Sequence, residues 1–329
     1  MIELTPLEHG VLGSSPSKET IRKLKNNAGV VTVNDLARET PKALSDRADI
    51  GQDTAEKAIN AALKYLDLGF KTGDQLHSEM ELRTRLTTGS KSVDTLLGGG
   101  IESNTTTEIS GRNGSGKTQV CHMLAITTQL PLSEGGLEGK VVWVDTEDTF
   151  RPDRIKEICD NRGYDVDAML RGIFHGKALT SQHQKQLVEE LNELVNTNNI
   201  KLIIVDSMMA HLRAEYVGRG MLGARQNVLN SILHRLHKIC ETHGVTAIYT
   251  NQVMDNPGQL YGNPEKAIGG HIMGHAATTR LEIRKGRLTS RVIKLTKSPY
   301  LAEGEATFVI NEMGVDDMEK KKDEDKTHE

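Results

Sequence analysis

The chain has 329 residues, of which 36% are hydrophobic and 26% charged, and its net charge is −4. That is an ordinary globular composition, long enough for one large domain with a smaller companion, and it excludes a largely disordered chain. No window approaches ~18 consecutive apolar residues, and the start MIELTPLEHG shows no basic stretch followed by an apolar run, so neither a membrane span nor a secretory signal is expected.

Residues 17–68 read as short helices broken by turns, with Ser17, Thr32, Thr40 and Asp53 as candidate N-caps and Gly29 and Gly51 as breaks. A small helical N-terminal domain is therefore expected over 1–68, followed by a polar linker over 69–87 (FKTGDQLHSEMELRTR). From residue 88 the pattern changes. Strand-length apolar runs (TTTEIS, KVVWVDT, RGIFHG, KLIIVDS, VTAIYTN) alternate with amphipathic stretches at 117–130, 152–163, 180–198 and 221–243. Such alternation predicts βαβ crossovers and a mainly parallel sheet with helices on both faces, an α/β core over 88–313. After residue 276 the runs ATTRLEIRK, RVIKLTK and EATFVIN predict an antiparallel extension, and 314–329 reads as a charged, disordered tail. Cys121, Cys159 and Cys240 are odd in number and scattered, which fits reduced thiols in a cytoplasmic protein.

GRNGSGKT at 111–118 lies between an apolar strand and a helical stretch. Gly111, Gly116, Lys117 and Thr118 set a phosphate-loop pattern, with Arg112, Asn113, Gly114 and Ser115 inside it and Gln119 just after. Glycines let backbone N–H groups close round phosphates, and the helix N-terminus favours their charge. Lys117 would reach the β/γ-phosphates of ATP, and Thr118 would ligate Mg²⁺. KLIIVDS supplies a second half, with Asp206 at the C-terminal end of a strand, where it would hold the Mg²⁺. Hydrolysis needs a group to activate water; WVDTED offers Asp145, Glu147 and Asp148, and the pattern alone leaves Glu147 one of three.

The net charge conceals a strong asymmetry. The last fifteen residues carry seven acids and four bases, whereas 279–297 carry seven bases and one acid. Local patches set the footprint for a polyanion, so nucleic acid remains a candidate partner. Arg213, Arg219 and Arg225 recur every six residues among glycines, a cationic segment suited to a regular phosphate backbone. With aromatic residues at 3%, stacking platforms are not the expected mode.

Over about 85–313 the chain resembles the archaeal RadA recombinases, relatives of the eukaryotic strand-exchange recombinases and of bacterial RecA. The runs that carry the resemblance are TTGSKSVDTLLGGGIE, GSGKTQVCH, VDTEDTFRPDRI, EYVGRGMLGARQ, TNQV and IGGHIMGHAATTRL. It implies a RecA-like ATPase core that uses ATP and Mg²⁺. Glu147 would be the water-activating glutamate, Arg154 the arginine on adenine, and Gln252 the glutamine that senses the γ-phosphate and links it to the DNA loops. DNA-binding loops would lie at about 211–226, with Arg213, Arg219 and Arg225, and at about 254–274, with Gly269 and Gly270. The implied activity is ATP-dependent strand exchange on single-stranded DNA in recombination and repair, with double-stranded DNA and further copies of the chain as partners, no membrane, and a cytoplasmic, nucleoid-associated location. A non-pairing recombinase paralogue that binds or loads, and a hexameric ring motor, are the rival readings.

Phe70 is the only Phe before residue 150 and sits among polar residues; it either packs on its own domain or anchors in a neighbour. The resemblance implies the second, a Phe-x-x-Ala motif that builds a helical filament, here with Gly73 in place of Ala. In the segment implied to cap a neighbour's ATP, Asn263 and Ala267 stand where the family usually has Asp and Pro, which bears on the cation dependence of turnover. The N-terminal residues resemble a helix-hairpin-helix module for duplex DNA, with plain helical docking as the alternative. His234, His237, Cys240 and His243 look like a metal stripe, but at ~100° per residue a spacing of three spreads them round a helix, and the apolar face of Leu229, Ile232, Leu233, Leu236 and Ile239 predicts core packing instead.

Overall fold

A computed structural model describes residues 4–13, 15–255, 265–267 and 270–318. The N-terminal part comprises α1 (Lys18–Ala28), α2 (Val33–Ala37), α3 (Pro41–Ala48) and α4 (Gln52–Tyr65) round a core that includes Leu7, Leu24, Leu36, Leu44 and Ile59. Ser17, Thr32 and Thr40 cap the first three helices through side-chain oxygens, as their chemistry favours. Asp53 does not cap α4. Gly51 holds that position, and Asp53 sits in the first turn, 2.7 Å from Lys57 one turn on.

The stretch expected to be a polar linker contains a helix, α5 (Gly73–Glu81), none of whose residues is buried. Its start signal is local: Thr72 and Gln75 form a reciprocal capping box, and Lys71 reaches Glu79 at 2.6 Å. β1 (Arg85–Leu86), α6 (Lys91–Leu96) and β2 (Ile101–Glu102) then lead into the core.

The core runs β3 (Thr106–Gly111), α7 (Lys117–Thr127), β4 (Lys140–Asp145), α8 (Pro152–Arg162), α9 (Val166–Arg171), β5 (Ile173–Lys177), α10 (Ser181–Asn198), β6 (Ile200–Asp206), α11 (Ala210–Glu215), α12 (Leu222–His243), β7 (Thr246–Asp255), β8 (Glu265–Ala267) and α13 (Gly270–Ala276). It ends with β9 (Thr279–Lys285), β10 (Ser290–Lys297), β11 (Gly304–Asn311) and β12 (Gly314–Asp316). The sheet order is β12-β11-β10-β9-β3-β7-β6-β4-β5, with β8 added against the end of β7. From β9 to β5 every pairing is parallel, and from β9 to β12 every pairing is antiparallel. This is the RecA-like α/β architecture expected, with one boundary moved. Residues 314–316 are the last strand rather than the start of the tail, and Asp317 accepts hydrogen bonds from Ser90 Oγ and from the Lys91 and Ser92 backbone.

β4 and β6 read as near-continuous apolar runs because both faces of the sheet are covered there. Alternation divides them between two cores: Val141, Trp143, Leu202 and Ile204 pack on one side, and Val142, Val144, Ile203 and Val205 on the other. The five apolar residues named on α12 are all buried in the second core, as is Cys240.

His243 closes the contact between the two parts of the chain. Its Nε2 lies 3.2 Å from Asp35 Oδ1 and 2.9 Å from Asn192 Oδ1. Beside it Arg38 meets Glu241 at 2.6 Å, and Glu39 takes Lys238 on one oxygen and Arg47 on the other, both at 2.6 Å. The Glu39 side chain is only 8% exposed, so it is the shared counter-charge of a half-buried cationic cluster. Burial pushes the Lys238 pKa down, opposed by Glu39, while Arg235 is likewise lowered by burial. Replacing Glu39 by Gln is expected to cost about 1–3 kcal/mol, since half-buried cations lose their charged partner. Urea unfolding would register the loss, and small-angle scattering would show the N-terminal part swinging away from α12.

Candidate functional site

The C-terminal ends of β3, β4, β6 and β7 meet at one edge of the sheet, where open α/β sheets bind ligands. The loop after β3 carries the phosphate-loop residues and opens α7 at Lys117. Two of its glycines are steric requirements. A Cβ on Gly111 would stand 2.3 Å from Ile283 O, and one on Gly116, at φ +111°, would stand 2.5 Å from Ile310 Cδ1. Lys117 is buried beneath the loop, with Nζ donating to Gly111 O at 2.9 Å and Arg112 O at 3.1 Å. Burial lowers its pKa, and the charges of Asp206 and Glu147 oppose that shift. Ser115 Oγ is buried without a hydrogen-bond partner.

Thr118 Oγ1 donates to Asp206 Oδ2 at 2.7 Å, which sets a hydroxyl and a carboxylate side by side as Mg²⁺ ligands require. Asp206 also accepts from Thr149 Oγ1 at 3.1 Å and from Thr250 Oγ1. The three acids after β4 separate by environment. Asp145 is fully buried, its oxygens taken up by the N–H groups of Glu147, Thr149 and Phe150. Asp148 points out to Lys177, 2.9 Å away. Only Glu147 faces the cavities beside the phosphate loop, accepting from Ser207 Oγ and from Gln252 Nε2, the latter at 3.4 Å. It borders both a cavity of about 280 Å³ against Lys117, Thr118 and Asp206 and an adjoining one of about 360 Å³ against Arg213.

These features fit a nucleoside triphosphate with a divalent cation: a cradle whose Gly111 has no room for a Cβ and whose Gly116 has a φ that favours glycine, an orphaned Ser115 hydroxyl, a buried ammonium, and paired oxygen ligands. Asn113, Gly114 and Gln119 line the same cavity. Arg154 lies at its rim, its guanidinium held by Gln119 Oε1 at 2.7 Å, Asn311 O at 2.5 Å and Glu157.

Motif reading missed two contributors. Ser207 is the residue after a strand-end acid, with nothing in the pattern to mark it as the donor to Glu147. Arg291 on β10 donates from Nε to Ser115 O at 2.9 Å, a contact across 176 positions with no sequence signal. Gln252, which the resemblance implies to link the γ-phosphate to the DNA loops, lies between Glu147 and the arginine segment, with Arg213 Nη1 donating to Gln252 Oε1 at 3.3 Å. VTAIYTN also under-reads β7, which continues past Gln252 to Asp255.

The arginine segment is more ordered than the glycines suggested. Arg213 lies in α11, Arg219 begins a 3₁₀ turn (Arg219–Met221), and Arg225 falls in the first turn of α12. In the second expected loop, β8 pairs with the end of β7 and Gly270 starts α13, whereas Asn263 and Gly269 lie outside the described residues. Ala267 ends β8, opposite Val253. Phe70 projects fully exposed, 110% of its reference area, and nothing surrounds a Cβ built at Gly73. Among the described residues no group of three His, Cys, Asp or Glu side chains is placed to hold a metal ion, and no helix is long and apolar enough to cross a membrane.

Comparison with known proteins meets this geometry from the other side. The family model described as Rad51 matches residues 80–318. The chain is 43% identical over 300 residues to the DNA repair and recombination protein RadA of Aeropyrum pernix, covering 91% of this chain and 94% of that protein. It is 44% identical over 298 residues to the protein of the same name from Ignicoccus hospitalis, covering 89% and 91%. Members of this family are in general DNA-dependent ATPases that bind ATP with Mg²⁺ and assemble into oligomers on DNA. With a family match over most of its length and RadA relatives aligned nearly end to end, the chain belongs to the Rad51 family, among the archaeal RadA recombinases.

Proposed function

We propose that the chain is an ATP-dependent DNA strand-exchange recombinase. It forms helical filaments on single-stranded DNA, pairs that DNA with homologous duplex in recombination and repair, and leaves DNA after hydrolysis. The observation that carries this reading is the continuous line Glu147–Gln252–Arg213, which links the nucleotide cavity to the arginine segment through two hydrogen bonds.

Gly111, Arg112, Asn113, Gly114, Ser115 and Gly116 would wrap the phosphates with backbone N–H groups, Lys117 would hold the β/γ-phosphates, and Gln119 and Arg154 would receive the base. Thr118 and Asp206 would hold the Mg²⁺. The bound nucleotide supplies the phosphoanhydride bond, and its metal neutralises charge that develops on the phosphate oxygens. Glu147 takes the proton of the attacking water, with Ser207 and Gln252 orienting its carboxylate. Gln252 cannot serve Glu147 and Arg213 independently, because one planar amide carries both bonds; a DNA phosphate that draws Arg213 away therefore shifts the amide at Glu147. Arg213, Arg219 and Arg225 grip the backbone by charge, leaving base edges open for pairing, with Gly269 and Gly270 in the second DNA segment.

Phe70, followed by Gly73, would dock into the next protomer. A heterologous contact of this kind propagates as a helix instead of closing. The hairpin α3–α4, joined through residues 49–51, is the candidate duplex-binding element of the N-terminal domain. The cytoplasm, on the nucleoid, is the expected location.

The test is a strand-exchange assay between circular single-stranded DNA and homologous linear duplex, with electron microscopy of the same mixtures. Joint molecules that need ATP, together with regular helical filaments, are expected. DNA coated without joint molecules would mark a loading paralogue, and closed rings a motor.

A further inference from the structure

Strand β5 lies at the edge of the sheet and supplies no lining residue to either cavity, yet two of its side chains hold the turn that bears Glu147. We propose that His175 and Lys177 are positioning residues for ATP hydrolysis: together they clamp the turn over residues 146–150 and so keep the Glu147 carboxylate against Ser207 and Gln252. This rests on Glu147 being the group that activates water.

Thr146 opens the turn bonded to the end of β6, its N–H on Asp206 O at 3.0 Å and its Oγ1 paired with the Ser207 backbone, but the N–H groups that follow have no strand partner and need another acceptor. Asp145 provides it, taking bonds of 2.9–3.1 Å from Glu147, Thr149 and Phe150. Burial raises the Asp145 pKa, but those N–H groups and His175 outweigh it and leave the group below its ordinary value. A carboxylate only accepts, so the His175 Nε2 that faces it at 3.3 Å carries the hydrogen. The same ring stacks on Phe150 with centroids 5.1 Å apart, gripping the residue at the far end of the turn.

β4 and β5 run parallel with Trp143 opposite His175 and Asp145 opposite Lys177. Two residues apart on one strand, His175 and Lys177 share a face. Lys177 therefore reaches the middle of the turn, at Asp148 Oδ1, 2.9 Å away. Asp148 has φ +58°, a conformation that favours glycine, and the ion pair holds a backbone that would otherwise relax. Glu147 thus sits between two tethers, one through Asp145 and Phe150 and the other through Asp148. The Lys177–Asp148 pair is exposed, 48% and 63% at the two side chains, so removing it leaves the fold intact.

The experiment uses full-length protein carrying His175→Leu, Lys177→Met, Asp148→Asn, or the last two together. Hydrogen exchange of the 146–150 amides is read without nucleotide, as is the emission of Trp143, the only tryptophan, whose ring lies 5.1 Å from Phe150. DNA-stimulated turnover and the affinity of a non-hydrolysable ATP analogue are measured alongside. His175→Leu should speed exchange of the turn, shift the Trp143 emission, and lower kcat about tenfold, less than the ~100-fold cost of a 1 Å misplacement. Lys177→Met and Asp148→Asn should each lower kcat about two- to fivefold, in keeping with an exposed pair, and the double variant should fall no further than the worse single one. Analogue affinity should hold throughout. Unchanged kcat, additive losses in the double variant, or a loss confined to analogue affinity overturns the clamp. Should Glu147→Gln keep full turnover while the turn loosens as described, the assignment of Glu147 has failed and not the tethering.

Discussion

Glu147→Gln is expected to lower ATP turnover by about 10²- to 10⁴-fold, the usual contribution of a positioned general base. The substitution is close to isosteric, and an amide oxygen can still accept from Ser207 and Gln252, so the cavity should keep its shape. On the proposed reading nucleotide binding rests on Lys117, Thr118 and the loop amides, so it should persist. Filaments should then form normally and outlast those of the parent protein, because the step that releases DNA is blocked. Single-turnover hydrolysis, with analogue binding measured in parallel, separates these effects. The neighbouring acids supply the controls. Asp148→Asn touches only the Lys177 contact and should cost far less. Loss of turnover in Asp148→Asn, with full activity in Glu147→Gln, would move the base to the other carboxylate.

That discrimination shows where sequence reasoning stops. WVDTED offers three acids at one strand end, and periodicity cannot rank them, because the turn after a strand has no period. What ranks them is which oxygens are already occupied: Asp145 by three backbone N–H groups, Asp148 by Lys177. The phosphate loop was legible because its chemistry is local, and Gly111 through Thr118 are contiguous. The parallel sheet was legible because strands covered on both faces carry apolar runs without strict alternation, four residues each at Val141–Val144 and Leu202–Val205. Ser207 and Arg291 were not legible, since each acts on a residue 60 or 176 positions away. The early end set for the core fails for a related reason. Gly314–Asp316 is too short and too acidic to read as a strand, and it is one only because β11 is already there to pair with it. Asp53 was a plausible cap by residue type, but the turn from α3 brings Gly51 to that position.

Phe70→Ala is expected to abolish filament assembly while leaving the melting temperature of the isolated chain unchanged. Sequence alone divides the fate of this side chain evenly between its own domain and a neighbour. Among the described residues the ring is fully exposed and packs on nothing of its own domain, which favours the neighbour. Burying such a side chain in a partner's pocket contributes about 2–4 kcal/mol, as for an aromatic interface anchor, or roughly 30- to 1,000-fold in association. An open helical assembly repeats that contact at every junction, so the loss compounds along the filament. Phe308→Ala is the contrast: Phe308 is wholly buried, and its truncation should cost about 3–5 kcal/mol of folding stability. Gly73 offers the opposite change. It opens α5 with empty space where a Cβ would lie, so Gly73→Ala should firm the helix by about 0.5–1 kcal/mol and add a methyl near the contact. Sedimentation velocity with electron microscopy should show short or absent filaments for Phe70→Ala and longer ones for Gly73→Ala. Filaments of ordinary length in Phe70→Ala would place the junction elsewhere, and α5 with its exposed Leu76 and Met80 would be the next surface to alter.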